Sequence, residues 1–287
     1  MTELRSQSWH VAHGRSIDVG EHSVIMAIVN VTPDSFSDGG HYEAVDTAVA
    51  HALACVAEGA HIIDIGGEST KPGAESISGT EEQGRILPVI EALRGKTDAL
   101  ISVDTYRADT ARLAIGTGAH IVNDVFGLQR EPEIADLAAQ TGAGLCIMHT
   151  GRERQKLDDV IDDQVLFLSR SLEIADAAGV GRQHIVLDPG FGFAKDHEEN
   201  LELMARFTAL LRFELPLLAG TSRKRFIGAV TGRDAPDRDV ATAATSAILR
   251  LQGAGVFRVH NVAINRDALA VADAILKTRA RLGGRTS

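Results

Sequence analysis

Short apolar, β-branched runs alternate with stretches of helical periodicity along almost the whole chain. Eight such runs stand out: Val24–Val29, His61–Ile65, Ala99–Val103, His120–Val122, Gly144–Met148, His184–Leu187, Leu215–Ala219 and Val256–Val259. Each predicts a strand that is apolar on both faces, followed by a helix whose apolar residues recur at three- and four-residue steps. Val45, Val49, Leu53 and Val56 share one helical face. So do Ile161, Val165, Leu168 and Leu172, then Val240, Ala244, Ala247 and Leu251, then Ile264, Ala268, Val271 and Ile275. Helix ends are expected at Glu58-Gly59, Thr117-Gly118, Ala178-Gly179 and Gln252-Gly253, where glycine permits the left-handed stop.

Eight strand–helix units predict an α/β fold, a parallel sheet closed as a (β/α)₈ TIM barrel. The alternative is an open doubly wound sheet, and its dinucleotide fingerprint is missing: no G-x-G-x-x-G opens a helix after a strand. Residues 1–23 stand outside the repeat. Trp9–His13 and Ser16–Val19, around Gly14-Arg15, predict a small hairpin lying across the bottom of the barrel. The chain therefore reads as one domain over 1–287, with the hairpin in 1–23 and the barrel in 24–287.

Composition narrows the partners. With 29 Lys and Arg against 39 Asp and Glu, the net charge is −10, which argues against a general grip on nucleic acid or an anionic membrane. Aromatic residues at 4% are too few for a stacking platform along a single strand. No run approaches the roughly 18 apolar residues of a membrane span, and the start lacks a signal-peptide core. A soluble, cytoplasmic chain is expected, in which a local basic cluster serves a small anion. Cys55 and Cys146 sit in apolar surroundings and read as core residues, not as a disulfide framework.

In such a barrel the chemistry gathers at the C-terminal ends of the strands. In chain order the exits carry Asn30, Asp64, Asp104 with Arg107, Asn123-Asp124, His149, Asp188 with Lys195, Arg223-Lys224-Arg225, and Arg258 with His260. Singly, each has a structural explanation: Asp104 caps the third helix, Asn123 or Asp124 the fourth, and Asp188 orders its own loop. Together they suggest one polar funnel with two sectors. Asp104, Asn123, Asp188 and Lys224 suit a flat heterocycle with adjacent donors and acceptors, since a carboxylate accepts two parallel bonds from a guanidine-like edge. Arg258 and His260, two apart on a strand and joined by Asn30, suit phosphate oxygens or a metal ion. Gly220-Thr-Ser-Arg-Lys-Arg is not a phosphate loop of the G-x-x-x-x-G-K type. A Schiff-base role for Lys224, helped by neighbouring cations, is a competing reading. The histidines show no zinc spacing. The loops S-F-S-D-G-G and G-G-E-S-T-K-P-G-A are read as lids.

These residues resemble the dihydropteroate synthase family. The motifs match in order from about Val24 to Val262: I-V-N-V-T-P-D-S-F-S-D-G-G, D-I-G-G-E-S-T-K-P-G-A, I-S-V-D-T, V-N-D-V, M-H, L-D-P-G-F-G-F-A-K, G-T-S-R-K-R-F-I-G and R-V-H-N-V. The resemblance implies a (β/α)₈ barrel that condenses 6-hydroxymethyl-7,8-dihydropterin pyrophosphate with p-aminobenzoate, releasing pyrophosphate. It implies pterin contacts from Asp104, Asn123, Met148, Asp188 and Lys224, and pyrophosphate contacts from Asn30, Thr70, Arg258 and His260. It implies a p-aminobenzoate pocket of Phe36, Thr70, Lys71, Pro72, Phe193 and Ser222. Asn30 would also hold Mg²⁺, and Asp38 would help order the metal or the cationic intermediate. Catalytic roles fall to Asn30, Asp38, Lys224, Arg258 and His260. A homodimer through C-terminal helices and a sulfonamide target are further implications. The sequence departs from the pattern at Lys71, where the family usually carries Arg. Two other readings compete: a methyltransferase moving a methyl group from a pterin to a corrinoid, and a non-catalytic pterin-binding relative. The first has no need of Arg258, His260 or the S-R-K-R-F-I-G loop, and both are present.

Overall fold

The computed structural model describes residues 6–32, 41–68 and 76–283. Two antiparallel strands come first, β1 (Gln7–Val11) and β2 (Arg15–Val19). The barrel strands are β3 (Val24–Asn30), β4 (Ile62–Gly66), β5 (Leu100–Asp104), β6 (Ile121–Asp124), β7 (Gly144–Met148), β8 (Ile185–Asp188), β9 (Leu218–Ala219) and β10 (Val256–Val259). Helices α1 (His41–Glu58), α2 (Gly79–Leu93), α3 (Ala108–Thr117), α4 (Glu133–Thr141), α5 (Val160–Ala177) and α6 (His197–Ala205) follow β3 to β8. Strand β9 leads into two helices, α7 (Arg225–Thr231) and α8 (Asp239–Leu251), and β10 leads into α9 (Val262–Gly283).

The eight barrel strands lie parallel in the order β8-β7-β6-β5-β4-β3-β10-β9. The ring is completed between β8 and the approach to β9 by the parallel bridge Leu187–Leu217 and the bond from Leu187 N–H to the Pro216 carbonyl, 3.0 Å. The expected barrel is therefore present, with one correction. The run Leu215–Ala219 supplies only the two-residue strand β9, because Pro216 has no N–H to give to a ladder.

Strand alternation sorts the side chains. Outward residues such as Ile25, Ala27, Val29, Ile63, Ile65, Val103 and Val122 join the large core shared with the helices. Inward residues Met26, Ile62, Leu100, Ile121, Cys146, Val186, Leu218 and Val256 form a separate layer with Trp9, Val11 and Val19 of the hairpin. The hairpin thus plugs the N-terminal end of the barrel, as expected. Trp9 Nε1–H donates to the His184 carbonyl at 2.9 Å, and Ala12 N–H to the His120 carbonyl at 3.1 Å. Its turn differs from the two-residue connection expected. Ala12–Gly14 form a 3-10 turn with positive φ at His13 (61°) and Gly14 (67°), and Arg15 already belongs to β2. Burial pushes the Cys55 thiol up to about 11, aided by Glu58, and burial raises Cys146 well above its ordinary value, so both behave as inert core residues.

Two of the four helical stripes face outward. The α1 and α5 stripes are inward, with Val49 and Leu168 buried. On α8, however, Val240 is 74% exposed, and on α9 Val271 is 63% exposed. The buried faces carry Thr242, Ala243, Ser246, Leu249 and Arg250 on α8, and Val262, Asn265, Leu269 and Ala272 on α9. The polar members tolerate burial because each is bonded. Arg250 Nε donates to Asp273 at 2.5 Å and its Nη2 to the Gly20 carbonyl at 2.7 Å; Ser246 Oγ donates to Asn265 at 2.8 Å.

Candidate active site

One step beyond the plug, the inward positions turn polar. On β4 the alternation Ile62, Asp64, Gly66 aims a carboxylate into the barrel, and Ser102 pairs with it in register on β5. Higher still lie Asn30, Asp104, Asn123, Met148, Asp188 and Arg258, at the last inward positions of β3, β5, β6, β7, β8 and β10. Gly66 lies between two of them: a Cβ there would be 3.5 Å from Asp104 Cβ and 3.7 Å from Asn30 Oδ1.

Arg258 ties the mouth together. Its Nε donates to Asp64 Oδ2 and its Nη2 to Asp104 Oδ2, each at 2.6 Å. Asn123 Nδ2 donates to the same Asp64 oxygen at 3.1 Å. The expected division into a ring-reading sector and an anion sector therefore does not hold in the ligand-free chain: Arg258 belongs to both. Two acids share one guanidinium, so one negative charge stays uncompensated. Burial pushes the Asp104 carboxyl up to about 7; Arg258 pulls against this and Asp64 adds to it. Arg258 itself stays charged: burial works against its charge, but Asp64 and Asp104 outweigh it. Asp64, which the exit-by-exit reading left without a role, is fully buried, and its Oδ1 has no hydrogen-bond partner among the described residues. Its position mid-strand on the inward parity is the signal that could have found it.

Asp188 and Lys224 face each other across the mouth. Asp188 Oδ1 accepts the Gly190 N–H at 2.7 Å, and burial raises its carboxyl although Lys224 pulls it down. Lys224 Nζ donates to the Phe191 carbonyl and lies 4.5 Å from the centre of the Phe193 ring. Gly192 makes room for it, since a Cβ there would lie 2.9 Å from Lys224 Cδ. Burial, opposed by Asp188 and reinforced by Arg258 and Arg152, brings Lys224 down to about 7. The neighbours Arg223 and Arg225 are not the cause; Arg223 turns away to Asp239, with bonds of 2.7 and 2.8 Å. Arg152 lies over the same Phe193 ring at 4.7 Å, so the segment after His149 reaches the site. Met148 and Phe193 pack with Tyr106 and Val125 as an apolar wall. Ser222 Oγ accepts the His260 N–H at 3.1 Å and lies 2.9 Å from His260 Nδ1, which orients the imidazole.

The structural explanations divide by residue. Asp104 caps nothing: α3 starts from Arg107 without a side-chain cap. Asn123 does not cap α4, which starts from Pro132. Asp124, on the outward parity, does order its own loop, accepting Phe126 N–H at 2.8 Å and Leu128 N–H at 2.6 Å. Asp188 also orders its own loop, through one oxygen. Phe36, Asp38, Thr70, Lys71 and Pro72 lie outside the described residues, as do the first loop read as a lid and residues 69–74 of the second.

Residues 26–260 match the pterin binding enzyme family. The chain is similar to the dihydropteroate synthase of Bacillus subtilis, 44% identical over 242 residues that cover 84% of this chain and 85% of that protein. It is similar to the solved dihydropteroate synthase from Clostridium difficile in the presence of pteroic acid, with 42% identity, a TM-score of 0.88, and coverage of 90% of this chain and 98% of that one. The Xanthomonas albilineans dihydropteroate synthase with 4-aminobenzoic acid gives 40% identity, a TM-score of 0.88, and coverage of 94% and 98%.

Proposed function

The chain belongs to the pterin-binding enzyme family as a dihydropteroate synthase, and from that premise we propose which of its residues carry the condensation. The enzyme is a transferase of folate biosynthesis that joins 6-hydroxymethyl-7,8-dihydropterin pyrophosphate to p-aminobenzoate. The observation that carries the assignment is the bonded cluster Asp64–Arg258–Asp104 with Asn123, facing Asp188 and Lys224.

The pterin ring offers an amino group beside a ring N–H. Asp104, Asp188 and the unpartnered Asp64 oxygen are buried acceptors for such donors. Lys224 and Asn123 Nδ2 supply donors to ring acceptors, and Met148 packs against the ring face. The C–O bond to pyrophosphate breaks first, and its electron pair leaves with the pyrophosphate. Arg258, His260 and Asn30 stabilise the charge that builds there. For Arg258 to turn toward phosphate oxygens, its bonds to the two acids must loosen, which a ring donor at those acids favours. Asp104 and Asp188 stabilise positive charge spread into the ring. The aniline nitrogen, seated by Phe193 and Ser222 with Phe36, Thr70, Lys71 and Pro72, attacks the cation and releases a proton. Orientation matters more here than a strong base.

Among the described residues no three His, Cys, Asp or Glu side chains converge on a metal position. Asn30 offers a single hard oxygen, and Mg²⁺ commonly takes one or two protein oxygens plus substrate phosphates. The residues fit an ion held by Asn30, with Asp38 nearby in sequence, and by the pyrophosphate itself. When bound, Mg²⁺ neutralises charge on the leaving group. Among the described residues no helix is long and apolar enough to cross a membrane, and a cytoplasmic homodimer fits the family. The outward apolar stripes of α8 and α9, Val240 and Val271 included, are the surface that supports pairing. Light scattering that gives a monomer mass at micromolar concentration overturns the dimer.

Incubation with the pterin pyrophosphate and Mg²⁺, with and without p-aminobenzoate, tests the reading. Pyrophosphate and dihydropteroate in equal amounts, only when all components are present, are expected. Asp104→Asn is expected to raise the pterin KM at least tenfold, the size of one lost charge-assisted bond. Unaltered pterin affinity removes Asp104 from the ring site.

A further inference from the structure

Beside the site runs a polar chain that the condensation does not use: half-buried Lys195, buried His149 and Asp163, and half-buried Arg154. Lys195 Nζ donates to two acceptors, the Gly190 carbonyl at 2.9 Å and His149 Nδ1 at 2.8 Å. The other ring nitrogen, Nε2, lies 3.0 Å from Asp163 Oδ2 and 2.9 Å from Arg154 Nη2, so the imidazole is held between the lysine and the Asp163–Arg154 pair. Arg154 grips the same carboxylate with two bonds, 2.8 and 2.5 Å, and anchors its Nε on the Thr150 carbonyl at 2.7 Å. His149 and Asp163 are buried, and no water exposure explains why polar groups are kept there.

Gly190 is where this chain meets the site. Its N–H holds Asp188 Oδ1 at 2.7 Å, and its carbonyl accepts Lys195 as well as the Phe193 N–H at 3.1 Å. It has a φ of 66°, and a Cβ there would fall 1.9 Å from the His149 carbonyl oxygen. The backbone of the β8 exit is thus pressed onto the β7 exit at one residue, and that residue aims the acid. We propose that Lys195, set by the His149–Asp163–Arg154 chain, is a positioning residue that fixes Gly190 and through it the orientation of the Asp188 carboxylate toward the pterin ring. The proposal rests on Asp188 being a pterin acid.

Other contacts hold the course of this loop, so Lys195 is not needed to keep it folded. Gly192 N–H donates to Asn200 at 2.7 Å, Gln164 to the Pro189 carbonyl at 2.9 Å, and Lys156 to the Ala194 carbonyl at 2.8 Å. Nor does the role depend on the charge of Lys195. A neutral amine still has two hydrogens, one for each acceptor. Burial, with the Lys195 cation adding to it, pushes His149 down to about 3, so the imidazole stays a neutral acceptor throughout the working range.

The test is steady-state kinetics of Lys195→Met, His149→Leu and the double variant, with Asp188→Asn alongside and thermal melts of all four. Methionine keeps the length and fills the space without donating. Lys195→Met is expected to raise the pterin pyrophosphate KM about tenfold, the size of one hydrogen bond that Asp188 no longer aligns with the ring, while the p-aminobenzoate KM and the melting temperature move little. The double variant is expected to be no worse than Lys195→Met, because both cut the same chain. Unchanged KM values with a lower fraction of active enzyme, or losses that multiply in the double variant, overturn the proposal. If Asp188→Asn raises the pterin KM and Lys195→Met does not, the positioning role alone fails. If Asp188→Asn also leaves it unchanged, the reading of the site fails with it.

Discussion

Replacing Arg258 with methionine separates the electrostatics of the mouth from its shape. Among the described residues, the substitution removes the only guanidinium bonded to Asp64 and Asp104, whose contacts are both 2.6 Å. Leaving a buried charge without its partner costs about 3–5 kcal/mol, provided the carboxyl is ionised. Protonation limits that loss, and the sign follows from the direction of the shift. The Asp104 carboxyl is raised to about 7, chiefly by burial. The folded state therefore binds more protons than the unfolded one from about pH 4, the unfolded value, up to pH 7, and stability falls as pH rises through that window. Arg258 is the group that pulls Asp104 down, so without it the folded value moves higher and the window extends above pH 7. The variant is expected to lose about 3–5 kcal/mol relative to the parent at pH 8, and clearly less at pH 5, where Asp104 is protonated in both. Urea unfolding followed by the fluorescence of Trp9, the single tryptophan, measures this at the two pH values. Pyrophosphate release should fall in parallel, since the same side chain serves the leaving group. An unchanged midpoint at pH 8, or a loss that grows toward pH 5, refutes the reasoning.

Three further outcomes are expected. Trp9→Ala should destabilise the barrel by about 3–5 kcal/mol, as for a fully buried aromatic, yet leave both KM values unchanged; a shifted KM in the folded enzyme would mean the plug is coupled to the mouth. Gly190→Ala should abolish activity and lower the melting temperature, because its Cβ would lie 1.9 Å from a backbone oxygen; normal kinetics would show that the β8 exit relaxes freely. Lys71→Arg should leave activity unchanged or raise it, judged by kcat/KM for both substrates, and a tenfold loss would show that lysine is specifically required.

Much of this architecture was legible before any coordinate. The runs Val24–Val29 and Gly144–Met148 became strands within a residue of the expected ends, because a doubly buried strand leaves a continuous apolar signal. The residues Asp104, Asn123 and Asp188 were legible as strand-exit groups, and each lies in the last two positions of its strand. Asp64 was harder. It sits mid-strand, and only the inward parity it shares with Ile62 and Gly66 distinguishes it from a loop acid. The outward direction of the α8 and α9 stripes was not legible, because periodicity weighs apolar residues alone. Ser246 and Arg250 are buried on the strength of partners 19 and 23 residues away, Asn265 and Asp273.

What the sequence determined by itself is local: the strand–helix repeat, the number of units, the plug and the set of polar exits. Those follow from periods of two and of 3.6 residues, which neighbouring residues impose on each other. What only the tertiary structure decided is who meets whom across the mouth. Arg258 reaches Asp64 across 194 positions and Asp104 across 154, and Lys195 reaches His149 across 46. The Arg258 pairs exist because closure of the barrel sets the last strand beside the first, and the Lys195 pair because β7 and β8 are neighbours in the sheet. Their strength and protonation follow from burial in a shared low-dielectric mouth, a property that no single stretch of chain possesses.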